Sequence, residues 1–200
     1  YDSILVSNRK ALHGEIAREI EQTDNSDNSW EILAYHFSGA ENHEKAFEYS
    51  LKAARNAFGI SAFHEARRLY EICLKNGKSA GYKLGDMDLL DYSKSLVSTG
   101  EYDEAMSLLA KLRDSSCEAT AVNARFLQLT ILDQKGDYKK TVEEADSLIT
   151  IAEKIKNGKI AVSTVRYEVS SLIRLGKYED AITLLEKGYK TTLDFSLEDE

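Results

Sequence analysis

The residues of this chain best equipped for chemistry are a Gly77-Lys78-Ser79 triplet, four histidines and several pairs of adjacent acids. The triplet has the ending of a phosphate-cradling loop. That motif needs a glycine five residues before Gly77, where Ile72 stands, and a strand ahead of it, whereas a helical pattern precedes it here. We therefore expect a glycine-rich loop between hairpins, with Gly77, Gly81 and Gly85 serving flexibility and helix termination. Of His13, His36, His43 and His64, the middle two could face each other across a turn. No cysteine or carboxylate completes a zinc set at familiar spacing, so they read as packing or surface residues. Asp103-Glu104 and Glu143-Glu144 read as exposed helix starts, where acids favour the helix dipole. No local serine–histidine–acid signature is present. We expect no catalytic residue, cofactor or metal.

Composition narrows the class of protein. Of the 200 residues, 42% are apolar and 30% charged, a balance that suits a folded chain rather than a disordered one. The net charge of -8 argues against sequence-independent nucleic-acid binding, which needs a basic face. Apolar runs are short and broken by charge, so no membrane span or signal peptide is expected, and the cytoplasm is the expected compartment. Cys73 and Cys117 lie in helical surroundings and read as small apolar fillers. The chain opens at Tyr1 in mid-pattern, which reads as a piece of a longer protein.

What must position any functional residue is a period. A glycine, a charge, an aromatic and, three residues on, a small residue recur as Gly100-Glu101-Tyr102 with Ala105, Gly136-Asp137-Tyr138 with Thr141, and Gly176-Lys177-Tyr178 with Ala181. Phe63 followed by Ala66 is a copy without the glycine. The aromatics step by 39, 36 and 40 residues, the length of a two-helix unit and its loops. Apolar residues spaced by three and four flank each copy, as in Ala105, Met106, Leu108, Leu109 and Leu112. The pattern predicts helices near 8–22, 29–39, 42–58, 61–76, 84–99, 101–113, 117–135, 138–156, 159–175 and 177–190. Asp24 to Asn28 reads as a loop and Ser196 to Glu200 as the start of a further helix. Most of the 11 tyrosines fall at repeat positions and read as core. The fold class is all-α: a right-handed superhelix of antiparallel helical hairpins, each burying its apolar faces on its neighbours.

These residues resemble a tetratricopeptide repeat array. Trp30, Leu33, Ala34, Phe37, Ala46 and Ala53 fall at that family's spacing, and the later copies carry its glycine–aromatic–small core. They depart from it in Ser93, Leu129 and Val169 at the first helix's small position, and in having no closing proline. The helix at 42–58 can close the Trp30 unit or open the Phe63 unit, and the later glycine turns favour the second. Tyr1 to Leu5, then Arg9, Lys10, Leu12, His13, Ile16, Ala17, Ile20 and Glu21, are similar to the junction where a STAND (AAA-like) signalling ATPase module gives way to helical repeats, with Glu31 to Ala54 like the first repeats. That resemblance implies a junction at 1–24, a repeat array at 25–200 continuing beyond the chain, a structural role for His13, and a parent carrying an output module such as a nucleotide cyclase, kinase or transcription factor.

In such arrays the first helices of successive pairs line a concave groove. The family's groove positions map onto Arg55, Lys94, Asn123, Phe126, Thr130, Asp133, Arg166, Ser170 and Arg174. The set suits a peptide or helix bearing some negative charge, the arginines above all, because a guanidinium grips a carboxylate with two bonds. Lys52 and Asn56 match the first part of the family's clamp for chaperone tails, but the next two helices do not. Bases dominate from Leu51 to Lys83 and acids from Leu84 to Thr120, a polarity that reads as orienting the array, through Arg67 and Arg68, against its own ATPase module or a partner. The expected function is a non-catalytic protein-interaction or sensor region of a signalling protein. Its partner is a protein or peptide, including another domain of the same polypeptide, without nucleic acid or membrane. The alternative is a small-ligand sensor regulating an attached ATPase or output module. Neither the partner nor the oligomeric state is legible.

Overall fold

Turns rather than helices set this architecture. In the computed structural model, which describes residues 6–24 and 26–186, six helix-to-helix turns share one geometry. A single residue adopts a left-handed φ: Glu41 (58°), Ser61 (60°), Gly100 (86°), Gly136 (76°), Lys156 (57°) and Gly176 (75°). The next N–H reaches back to a carbonyl five residues earlier, as from Asn42 to Phe37, Ala62 to Ala57, Asp137 to Leu132 and Lys177 to Leu172, each at 2.9 Å. This closes the helix with a 6→1 bond that satisfies an otherwise orphaned carbonyl. Three residues into the following helix stands a small, buried side chain: Ala46, Ala66, Ala105, Thr141, Ala161 and Ala181 are all at most 3% exposed. The period read from three glycines therefore runs through six turns.

All regular structure among the described residues is helical. A first compact unit, residues 1–101, holds α1 (Val6–Thr23), α2 (Trp30–Gly39), α3 (His43–Gly59), α4 (Phe63–Ala80) and α5 (Asp86–Ser98). α3 packs on α2 and, most extensively, on α4. Its buried residues Ala46, Tyr49, Ser50, Ala53, Ala54 and Ala57 are nearly all small, which lets both neighbours approach. α1 covers α2 and α3 through Ala17 and Ile20, against Leu33, Ala34, Phe37, Ala46 and Tyr49. Glu21 secures this cover, accepting from Tyr49 Oη at 2.7 Å and Lys45 Nζ at 2.5 Å. At the other end, the Tyr70 and Tyr92 rings meet at 5.6 Å between α4 and α5.

The second unit, residues 102–200, holds α6 (Tyr102–Leu112), α7 (Glu118–Gln134), α8 (Tyr138–Lys154), α9 (Gly158–Arg174) and α10, described over 178–186. Its core joins Val122 and Leu129 of α7, Ala145, Leu148 and Ala152 of α8, and Ile160 and Ala161 of α9. Beyond it, Val169 and Leu172 of α9 hold Ala181 of α10. Asp137 and Asn157 cap α8 and α9, accepting from the N–H groups of Lys140 and Ile160.

The expected helices are present with ends shifted by a few residues, and two readings change. α4 runs on to Ala80, so Gly77 lies inside a helix and not in a loop. A Cβ there would stand 2.9 Å from Phe47 Cδ2 and 2.9 Å from the Tyr82 carbonyl oxygen, so the glycine admits a close approach. Gly81, at φ 78°, is what ends the helix. Secondly, the tyrosines opening repeats are not core. Tyr178 is 62% exposed and Tyr102 and Tyr138 are half-buried, whereas Tyr49, Tyr70 and Tyr92 are buried. The Asp24 loop is closed locally, with Ser26 N–H bonded to Asp24 Oδ1, although Asn25 is outside the described residues. The expected helix start at Ser196 to Glu200 is also outside them.

Candidate functional site

Of the nine groove candidates, Arg55 and Lys94 belong to the first unit, and their surroundings there are already charged. Arg55, on α3, donates from Nε to Asp88 Oδ1 at 2.7 Å and from Nη2 to Asp88 Oδ2 at 2.9 Å. Lys94, on α5, is 3.7 Å from Asp91 Oδ1, and its ammonium is 5.7 Å from the centre of the Phe58 ring. Burial raises the Asp91 carboxyl above its ordinary value against the pull of Lys94. Beneath them, burial also raises the Tyr70 phenol, whose oxygen has no hydrogen-bond partner among the described residues, and pushes the Cys73 thiol up to about 11. Cys73 is thus a protonated filler at neutral pH and no nucleophile.

The other seven lie in the second unit, on α7 and α9, which pack against each other. Phe126 meets the Tyr167 ring edge to face at 5.9 Å. Arg166 lies over that same ring, its guanidinium carbon 4.5 Å from the centre. Arg174 lies 5.3 Å over Tyr138 in the same manner. Both arginines are exposed, and neither forms an ion pair among the described residues. Ser170, half-buried, falls between them along α9. Asn123 is partly engaged, donating to the Ala119 carbonyl at 2.8 Å, and Asp133 accepts from Ser171 Oγ at 3.4 Å. Thr130 is 7% exposed and donates to the Leu127 carbonyl, so it serves packing within α7.

This face can bind anionic groups. Arg166 and Arg174, each lying over an aromatic ring, are exposed to solvent, with the Ser170 hydroxyl between them along α9. Tyr138 and Tyr167, the platforms of the arginines, were not among the sequence candidates. Their signal was only an aromatic next to, or a hairpin away from, an arginine.

Other chemistry-bearing residues are placed differently from expectation. His36 does not face His43. Its Nδ1 lies 3.0 Å from His13 Nδ1, while His43 Nδ1 lies 2.9 Å from Asn76 Oδ1. Among the described residues no group of three or more metal-capable side chains gathers. Asp103 and Glu104 do open α6, but Glu143 and Glu144 lie past the first turn of α8, where Glu144 meets Arg113 at 3.2 Å. Part of the polarity between the basic and acidic stretches is met by ion pairs inside the first unit. Arg55 holds Asp88, Arg67 holds Glu101 at 2.7 Å, and Arg68 binds Glu65 and Glu31. Arg67 and Arg68 are therefore partnered within the chain. Among the described residues no helix is long and apolar enough to cross a membrane.

No protein-family profile matches the chain, and no curated protein does. Solved structures do. MamA 41-end from Desulfovibrio magneticus RS-1 is 12% identical, with 95% of this chain and 98% of that one covered at a TM-score of 0.61. BtubC (BKLC) from P. vanneervenii is 10% identical, with 97% and 93% covered at 0.64. YrrB, described as a TPR protein with an unusual peptide-binding site, is 15% identical, with 91% and 95% covered at 0.57. The fold is tetratricopeptide-like. At such identities the likeness concerns the TPR-like fold alone, and function has to be argued from the faces this array presents.

Proposed function

We propose that this TPR-like array is a non-catalytic protein-binding region that takes an acidic peptide segment or partner domain on the α7/α9 face of its second unit. One observation carries the reading: Arg166 stacks on Tyr167, which meets Phe126, while its charge stays unpaired among the described residues. Stacking orders the guanidinium and leaves its edge free for a carboxylate, which lowers the entropy lost on binding. Phe126 and Tyr167 supply the apolar contact that accompanies such an anchor. The peptide-binding site of YrrB is consistent with this use of the fold.

The test is an array of short peptides, each pairing Asp or Glu with an apolar residue, probed with the purified chain. Binders should be enriched in acids and lose about tenfold or more in affinity on Arg166→Ala or Phe126→Ala. Arg55→Ala should leave them unchanged, since that arginine is held by Asp88. Binders indifferent to Arg166 and Phe126 would refute the assignment.

We further propose a signalling ATPase parent, from the resemblance of the first third of the chain to such junctions. On this reading the partner segment belongs to another domain of the same polypeptide or to its signalling complex, with the array in the cytoplasm. Co-purification of a nucleotide-hydrolysing module with the full-length protein tests it.

A further inference from the structure

Within the second unit, residues of α6, α7 and α8 line a solvent-open recess of about 190 Å³. It lies on a different side of α7 from the peptide face. Arg125, Gln128, Leu129 and Leu132 line it, whereas Asn123, Phe126 and Asp133 mark the other stripe, roughly 130° away at about 100° per residue. The recess is therefore separate from the peptide face on α7.

Gln128 is the odd residue of this wall. It is 7% exposed, and its amide oxygen has no hydrogen-bond partner among the described residues. A buried carboxamide without a partner is destabilising, and proteins retain such groups where something else completes them. One turn before it, half-buried Arg125 has no ion pair among the described residues. Across the recess, Arg113 and Glu144 satisfy each other at 3.2 Å, and Lys140 is held by Asp137 at 2.7 Å. That leaves Arg125 without an ion pair among the described residues and Glu143 exposed, near Lys140 but not paired with it, with Met106, Leu129 and Leu132 as apolar wall.

We infer that this recess binds a free α-amino acid with a small apolar side chain. The carboxylate takes the Arg125 fork, the ammonium is received by Glu143 and by Gln128 Oε1 once that side chain turns toward the recess, and the side chain lies on Met106, Leu129 and Leu132. Size agrees, since a recess of about 190 Å³ has room for more than a single water and suits a small solute. A peptide carboxyl terminus would satisfy Arg125 but brings no ammonium for Glu143, which is why the free zwitterion is preferred.

Calorimetric titration of the chain with L-valine, L-leucine and L-methionine tests this, with N-acetyl-L-leucine and L-leucinamide as controls. Saturable binding of at least one free amino acid is expected, with both blocked forms of leucine weaker by about tenfold or more. Arg125→Gln should weaken the bound amino acid by a similar factor. Glu143→Gln, at an exposed position that the fold tolerates, should weaken it severalfold, and decides the matter if the arginine variant does not fold. No binding of any of the three at millimolar concentration overturns the inference. So does N-acetyl-L-leucine binding as tightly as leucine, or a Glu143→Gln variant with unchanged affinity.

Discussion

Arg55 and Asp88 face each other across α3 and α5 with two parallel bonds, Nε to Oδ1 at 2.7 Å and Nη2 to Oδ2 at 2.9 Å. The aspartate side chain is 10% exposed and the arginine 57%, so among the described residues the acid depends on this one partner. Removing Arg55 strands a nearly buried carboxylate, whereas neutralising both ends removes the problem along with the bond. Arg55→Ala should therefore destabilise the chain by about 1–3 kcal/mol, and Asp88→Asn should recover part of that loss in the double variant. Urea unfolding of the two single variants and the double variant measures it. Equal stability of wild type and Arg55→Ala would mean that the pair is a screened surface contact.

The His13–His36 contact predicts a pH dependence. Two Nδ1 atoms 3.0 Å apart share one proton, and protonating both rings sets N–H against N–H. Burial lowers the His36 pKa below its ordinary 6.5, and the charge of His13 acts in the same direction. The unfolded chain thus binds a proton that the folded chain refuses. The stabilisation is complete above about pH 6.5 and falls as pH drops through the folded value. Glu21, whose carboxyl burial would raise, is held below its ordinary 4.5 by hydrogen bonds from Lys45 and Tyr49, so its contribution is lost only at more acid pH. Melting temperature should fall on acidification from pH 7 towards 5, and His36→Gln should flatten that slope. An unchanged slope would assign the effect to other groups.

The turns supply a stabilising substitution. Ser61 adopts φ 60°, a region that disfavours any residue with a Cβ, and its side chain is exposed. Ser61→Gly relieves a strain of about 1–2 kcal/mol, partly offset by the greater freedom of glycine in the unfolded chain. The expected net gain is roughly 0.5–1 kcal/mol, a rise of about 1–4 °C in melting temperature for a chain of this size. The same change at Gly100, Gly136 or Gly176 in reverse, to serine, should lower it.

Those turns also show what was legible. Three of the six announce themselves as glycines, because glycine adopts the left-handed region without strain. Glu41, Ser61 and Lys156 do the same work without a glycine, and of these the sequence showed only the copy after Ser61, through Phe63 and Ala66. The small residues at Ala105, Thr141 and Ala181 were legible because helix nesting demands them. The adjacent tyrosines misled, since an aromatic at the first position of a helix lies at the rim of the packing and not within it, as Tyr178 does. Pairings between residues more than thirty positions apart, such as Arg55 with Asp88 or Arg67 with Glu101, depend on helix register and leave no local trace. The same holds for the face of α7. Phe126 and Arg166 could be placed on family positions, but the Tyr167 platform and the unmatched Gln128 needed coordinates.

The nesting itself is tested at Ala181. It is 3% exposed and held by Val169 and Leu172 of α9, with Val142, Val165 and Leu184 packed around it. A phenylalanine there would push α10 away from α9. Because repeats stabilise one another only through neighbouring interfaces, that loss falls on the α9/α10 contact and not on the first unit. Ala181→Phe should cost about 1–3 kcal/mol and raise amide exchange first in α9 and α10. Ala105→Phe, at a position 0% exposed, should cost at least as much and raise exchange in α6 and α7 instead. Hydrogen exchange resolved by peptide distinguishes these patterns. If both variants melted like the parent, with unchanged exchange, the small residues would not be what sets the spacing between helices.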